Sequence, residues 1–90
     1  MPRAIVDPAE LRRFAGGVKA FTGDLQHQLA VLQAQFNALG DTWRDQEHQK
    51  FAQEFEQTVR VLNHFAATAA DHVPFLLRKA ERIEEYLQQR

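Results

Sequence analysis

The 90-residue chain contains no cysteine and no serine. The lack of cysteine excludes a disulfide framework and a thiolate metal site, and the two absences together remove the commonest covalent nucleophiles. The acidic residues are dispersed, and no glycine-rich loop of the phosphate-binding kind follows a strand pattern. The sequence therefore argues against an enzyme.

Neither sign of charge dominates, since the chain has 11 lysines and arginines and 12 aspartates and glutamates, for a net charge of −1. No basic stripe is available to neutralise phosphates, so we expect no nucleic-acid binding. No apolar run approaches the roughly 20 residues of a membrane span. Residues 1–6 are too short, and too charged at Arg3, for the apolar part of a cleavable signal peptide. We expect no membrane insertion and, if the chain is exported, a route without such a signal.

The four histidines raise the question of a metal site: His27, His48, His64 and His72. Metal sites in four-helix bundles use Glu-x-x-His pairs from two helices and further glutamates from the others. Only the sequence Asp45-Gln46-Glu47-His48 approaches this spacing, and it lies at a predicted turn. We therefore expect surface histidines, no metal and no cofactor.

Apolar residues recur every three or four positions on both sides of a central turn at Gly40, which is the period of one face of an α-helix. Before the turn the pattern comprises Leu11, Phe14, Val18, Phe21, Leu25, Leu29, Leu32, Phe36 and Leu39. After the turn it comprises Phe51, Phe55, Leu62, Phe65, Ala69, Val73, Leu76, Ala80, Ile83 and Leu87. The pattern predicts an all-α, antiparallel helical hairpin. Its phase slips once in each helix, which favours nearly straight helices.

Capping residues indicate where the helices begin and end. Asp7-Pro8-Ala9-Glu10 has the order of a capping box with proline at the first helical position, so helix 1 should begin at Pro8. Gly40 can take the left-handed conformation that ends a helix, which places the end of helix 1 at about residue 39. Thr42 is expected to cap helix 2, with Asp45 returning the bond, so helix 2 should begin at about Trp43.

We expect a single domain over residues 1–90, with a turn at 40–42 and helix 2 extending to about residue 73. Pro74 should kink the chain and start a C-terminal helical segment over residues 75–90. If the turn centres near residue 41, this segment extends beyond helix 1, and its apolar stripe has no partner within the hairpin. We assign this stripe to a partner interface that comprises Leu76, Ala80, Ile83, Tyr86 and Leu87.

A lone pair of helices has no enclosed interior, because each helix covers only one face of the other. Several apolar residues lie off the main pattern, namely Val31, Val59, Val61, Phe75 and Leu77. This excess predicts a second buried surface, formed most simply when another hairpin completes a four-helix bundle as a dimer. The alternative is that these are ordinary apolar residues scattered over a surface.

Two long amphipathic helices joined by a tight turn that holds a tryptophan resemble the WxG family of small helical-hairpin proteins, the early-secreted-antigen-like substrates of type VII secretion systems. The turn motif here is Trp43-Arg44-Asp45, with aspartate where the family has glycine. The family also has a tyrosine followed four residues later by an acid. Tyr86 lies in the corresponding region, and Arg90 stands where the acid would be. The resemblance spans nearly the whole chain.

The resemblance implies a non-enzymatic protein that is an exported substrate or co-substrate of a type VII secretion system and acts as a homodimer or heterodimer. Its partner would be a second copy or a related small helical protein, with a secretion ATPase or a larger effector as further candidates. The protein would be secreted without a cleavable signal peptide, or cytoplasmic before export. The alternative function is a helical adaptor or chaperone-like module that binds a partner helix and is never exported.

Overall fold

Two long helices form an antiparallel hairpin in the computed structural model, which describes residues 6–89. Helix α1 spans Pro8–Leu39 and helix α2 spans Gln46–Gln88. The hairpin is a rod with extents of 69 × 20 × 18 Å. The prediction of an all-α helical hairpin is confirmed.

Helix α1 begins at the residues that cap it. The Asp7 side chain accepts a hydrogen bond from the backbone N–H of Ala9 at 2.9 Å, and Pro8 occupies the first turn, where no N–H partner is needed. At the other end the expected left-handed Gly40 is wrong, since its φ is −61° and its ψ is −17°. The N–H groups of Gly40 and Thr42 each bond to the carbonyl three residues earlier. These bonds continue the right-handed coil, so no left-handed residue is needed.

Helix α2 begins at Gln46, three residues after the expected start at Trp43. Its N-cap is Asp45, whose carboxylate accepts the backbone N–H of His48 at 3.0 Å. The expected cap, Thr42, instead lies next to the end of α1, where its hydroxyl donates to the carbonyl of Leu39 at 3.4 Å. The turn is therefore longer than the sequence pattern predicts.

Helix α2 passes Pro74 without interruption, so the expected separate segment over residues 75–90 is wrong. An interior proline removes one backbone hydrogen bond, but α1 still packs against the chain beyond it. Ala80 is completely buried, and Arg12 of α1 pairs with Glu84. The longer turn shifts the register of the two helices, so α1 covers this part of α2 rather than ending before it.

The seam between the helices has its most completely buried side chains at every seventh residue, and most of these side chains are small. Its buried members are Ala15, Thr22 and Leu29 from α1 and Val59, Ala66 and Ala80 from α2, with half-buried Val73 completing the α2 series. This spacing is that of a left-handed coiled coil. Small residues in the seam let the two helix axes approach each other closely.

The apolar pattern of the sequence slips in phase once in each helix, but the series of buried residues between the helices keeps its seven-residue spacing. Phe14 and Phe21 are 62% and 56% exposed, whereas their neighbours Ala15 and Thr22 are buried. The pattern combined two faces of each helix, one that contacts the other helix and one that contacts solvent. A seven-residue spacing of buried residues is the spacing that favours supercoiled helices.

An ion pair joins the N-terminal part of α1 to the far end of α2. The guanidinium of Arg12 donates two hydrogen bonds to the carboxylate of Glu84, at 2.6 and 2.7 Å. This hydrogen bonding lowers the pKa of Glu84 and raises the pKa of Arg12. Both side chains are well exposed, by 41% and 43%, so the pair contributes little to stability.

Replacing a small seam residue by a large one should force the helices apart. We expect Ala66→Leu to lower the free energy of unfolding by about 1–3 kcal/mol, because Ala66 is completely buried. Ala67→Leu is the matched control, since Ala67 is exposed, and it should change stability by less than about 0.5 kcal/mol. Urea unfolding followed by circular dichroism measures both. Equal effects from the two variants would show that the seam is not closely packed.

The pair of Arg12 and Glu84 should make a small contribution that depends on pH. A carboxylate whose pKa is lowered by folding stabilises the native state above its unfolded pKa, and this contribution is lost as the pH falls through the folded value. We therefore expect Glu84→Gln to unfold at a slightly lower temperature than the wild type at neutral pH and at the same temperature in strong acid. Glu85→Gln, which alters the neighbouring exposed acid, should not show this convergence. A deficit of Glu84→Gln that persists in acid would contradict the ion pair.

Candidate functional site

Large apolar side chains that the seam leaves uncovered lie along one side of the hairpin, which we call the aromatic face. Away from the turn it forms an open groove of about 330 Å³ between the helices, lined by Phe14, Gly17, Val18, Phe21, Phe65 and Ala69. An adjoining groove of about 400 Å³ is lined by Phe14, Val18, Ala69, His72, Phe75 and Leu76. The surface of both grooves is almost entirely apolar.

A further groove of about 400 Å³ lies at the turn end and is lined by Leu32, Gln35, Phe36, Leu39, Phe51 and Phe55. Gln35 follows Phe21 by fourteen residues, and Phe51 precedes Phe65 by fourteen. Each of these pairs therefore occupies one heptad position of its helix. The grooves at the two ends consequently open on the same side of the rod.

The phenylalanines of the aromatic face retain much of their contact with solvent. Their exposed fractions are 62% for Phe14, 56% for Phe21, 50% for Phe65 and 55% for Phe75. Phe21 and Phe65 meet edge to face across the two helices, with ring centroids 6.4 Å apart. A contiguous apolar surface of this kind is typical of a protein-binding site.

An aromatic cluster closes the turn end of the hairpin. Phe36 of α1 stacks on His48 with ring centroids 5.1 Å apart, and its ring lies 5.5 Å from Phe51 and 4.9 Å from Phe55. The indole of Trp43 meets the same His48 ring edge-on at 5.0 Å. Trp43 is half-buried, so it belongs to this cluster and is still accessible from outside.

Each residue of the predicted turn motif has a local structural role. Trp43 donates its backbone N–H to the carbonyl of Leu39 at 2.8 Å, and the Arg44 side chain donates to the carbonyl of Gly40 at 3.2 Å. Asp45 caps α2 in an extended conformation, with φ of −91° and ψ of −175°. Aspartate can stand in place of the motif glycine because the position needs no left-handed backbone.

The five residues of the predicted partner interface differ in how deeply the structure buries them. Ala80 is completely buried between the helices, so its assignment to a partner is wrong. Leu76 and Ile83 are half-buried, and Leu76 lines a groove of the aromatic face. Tyr86 and Leu87 are exposed by 63% and 38%. The shifted register explains the difference, since α1 covers part of the segment that was expected to extend beyond it.

Sequence reasoning missed the aromatic face because it assigned Phe14, Phe21 and Phe65 to the contact between the helices. A signal was present, since Phe14 and Phe21 are seven residues apart and so are their neighbours Ala15 and Thr22. Adjacent residues of a helix point about 100° apart, so two adjacent series with one period belong to different faces. The series of small residues is the one that fits a close seam.

Within residues 6–89, no group of three or more His, Cys, Asp and Glu side chains is placed to hold a metal ion. His27, His64 and His72 are exposed, whereas the Nε2 atom of half-buried His48 is buried without a hydrogen-bond partner. Over the same range, neither helix has a stretch both long enough and apolar enough to cross a membrane.

A long antiparallel hairpin with a tryptophan in its turn and an uncovered aromatic face defines a small helical protein with apolar grooves along one side. The family model WXG100, described as proteins of 100 residues with WXG, matches residues 4–88. The chain therefore belongs to the WXG100 family, whose members are non-enzymatic substrates of type VII secretion systems. The resemblance noted in the sequence is confirmed. No curated protein and no solved structure matches the chain.

Restoring the glycine of the family motif should not stabilise the turn. We expect Asp45→Ala to lower the free energy of unfolding by about 1 kcal/mol and Asp45→Gly by roughly a few tenths of that, because both lose the cap on His48. Asp45→Asn should keep the cap and change little. Asp41→Ala, at an exposed turn residue, is the control, and thermal unfolding measures all four. A gain in stability for Asp45→Gly would contradict the extended conformation at this position.

Proposed function

We propose that the chain pairs with a second copy of itself through the aromatic face, that the pair forms a four-helix bundle, and that this bundle is exported by a type VII secretion system. The observation that carries the proposal is the row of half-exposed phenylalanines along one side of the hairpin. Dimerisation is a property of the WXG100 family. The face and the partner are what we propose for this chain.

The exposed area of the single chain supports a large interface. Its accessible surface is 7274 Å², whereas a compact monomer of 10.4 kDa exposes about 5,400 Å². The excess is about 1,900 Å² per chain by this comparison. A pair that buried it on both chains would bury about 3,800 Å², which is within the range of obligate homodimers.

The charges around the aromatic face are compatible with a copy of the same surface. Phe75 shares its heptad position in α2 with three charged residues. These are Glu47 and Glu54 near the turn and Arg82 near the other end of the helix. All three charged side chains are exposed. The rim of the face thus carries both signs of charge, and two chains of net charge −1 repel each other only weakly.

The two ends of the aromatic face are the surfaces that we assign to the export machinery. Trp43 is half-buried at the turn end, and aromatic side chains concentrate binding energy when a partner covers them. Tyr86 follows Phe65 by 21 residues, in the same heptad position, and is 63% exposed. The tyrosine that the family resemblance points to therefore has the register of the pairing surface.

Polar substitutions within the aromatic face should weaken pairing and leave the hairpin folded. We expect Phe21→Gln and Phe65→Gln each to raise the dissociation constant of the pair roughly thirtyfold or more, the effect of a central interface residue. Leu77→Gln is the matched control, since Leu77 is 42% exposed but lines none of the grooves described above. Analytical ultracentrifugation over a concentration series measures the dissociation constants.

Three outcomes would count against this pairing. If Leu77→Gln weakens association as much as the phenylalanine variants do, the aromatic face is not the interface. If the wild-type chain stays monomeric alone and pairs only with a related hairpin protein, the proposed partner is wrong. If the chain pairs neither with a second copy of itself nor with a related hairpin protein, the proposed four-helix bundle is wrong.

Export is tested in a host that contains a type VII system, by measuring the protein in the culture medium with and without the secretion ATPase. We expect the wild type in the medium only when the ATPase is active. The double variant Phe21→Gln/Phe65→Gln should stay in the cells, and Trp43→Ala should pair normally and be exported less. Wild-type protein that remains in the cells under all conditions would favour the non-exported helical adaptor.

A further inference from the structure

We propose that Gly17 is the point at which a helix of the second copy comes closest to α1, with a large apolar side chain of that copy seated over the Gly17 backbone. This inference rests on the proposed pairing through the aromatic face. It adds the residue at which the two chains meet most closely, and it assigns a role to a glycine in the middle of a helix.

The hairpin itself does not require glycine at position 17. No glycine in the described range has a positive φ, and a Cβ atom added at Gly17 would meet nothing within 4 Å. Glycine inside a helix lowers helix stability relative to alanine. The missing side chain therefore weakens α1 and relieves no contact between α1 and α2.

The position of Gly17 shows what the missing side chain leaves open. It lines the groove of about 330 Å³ together with Phe14, Phe21 and Phe65. Phe14 lies three residues before it and Phe21 four residues after it, so the two rings flank it on one face of the helix. The result is a depression with aromatic walls and a bare backbone floor, where a neighbouring helix can approach more closely than over any side chain.

A second copy supplies the side chains that such a depression accepts. In a two-fold pairing each chain presents the same surface to the other, so one face must carry both the depression and the groups that fill it. The aromatic face carries both, since Phe65 and Phe75 project from α2 with half or more of their surface exposed. Large apolar side chains of this kind insert as knobs between the residues of a facing helix.

The other glycines of α1 provide matched controls. A Cβ atom at Gly16 or Gly23 would also meet nothing within 4 Å, and both positions are exposed. Neither residue lines any of the grooves described above. Substitutions at Gly16, Gly17 and Gly23 should therefore all favour the helix, and only those at Gly17 should fill the depression.

The experiment compares Gly17→Ala and Gly17→Leu with Gly16→Leu and Gly23→Leu in the full chain. Sedimentation equilibrium gives the dissociation constant of each pair, and far-ultraviolet circular dichroism at low concentration gives the helix content of the single chains. We expect Gly17→Leu to raise the dissociation constant about tenfold or more, with Gly17→Ala in between. The two control variants should stay within about twofold of the wild type. Helix content should not fall in any variant, which separates loss of pairing from loss of folding.

The possible results distinguish the role of Gly17 from the proposed pairing through the aromatic face. A wild-type chain that stays monomeric would overturn both. A wild-type dimer that Gly17→Leu leaves unchanged or tightens would overturn the role of Gly17 and leave the pairing in place. Equal weakening by Gly16→Leu or Gly23→Leu would overturn it as well, because the effect would then belong to the whole helix surface.

Discussion

The close contact of small side chains along the seam is the constraint on which the rest of the molecule depends. Ala66 and Ala80 are completely buried, and Ala15 and Thr22 nearly so. Residues of this size bring two helices together and, away from the turn-end cluster around Phe36, leave no space between the helices for a ring. The phenylalanines in the adjacent heptad positions must therefore point sideways, along one side of the rod. The aromatic face is a direct consequence of how tightly the two helices pack.

The same constraint explains how a chain without catalytic groups acquires a function. A two-helix hairpin can satisfy only one stripe on each helix, and the hydrophobic effect acts on any apolar area that remains in water. In this chain that area is large, continuous and bordered by charges of both signs. The fold of the single chain is incomplete in its burial of apolar side chains, and the apolar side chains left in water form the surface available to another protein.

The turn controls the register, and the register decides which residues are free. Trp43 bonds back to the end of α1, Thr42 does the same through its hydroxyl, and Asp45 then starts α2. Capping by Asp45 explains how the family motif tolerates aspartate in place of glycine. Because α2 begins late, its C-terminal part lies against α1. Ala80 therefore belongs to the hairpin core rather than to a partner, and Pro74 is accommodated within a continuous helix.

The sequence by itself determined the two helices, the N-terminal cap at Asp7 and the family, because periodicity, capping and the turn tryptophan are local properties of the chain. It did not determine which of two apolar series would face the other helix. Phe14 and Ala15 are both apolar and both belong to a seven-residue series, so periodicity alone could not rank them, and only the smaller side chains of the Ala15 series pointed to the seam. The tertiary structure decided this, because steric fit between two helices is a property of both surfaces together. The tertiary structure also decided that Ala80 lies in the hairpin core. That position depends on the length of the turn, which only the hydrogen bonds across residues 39–45 establish.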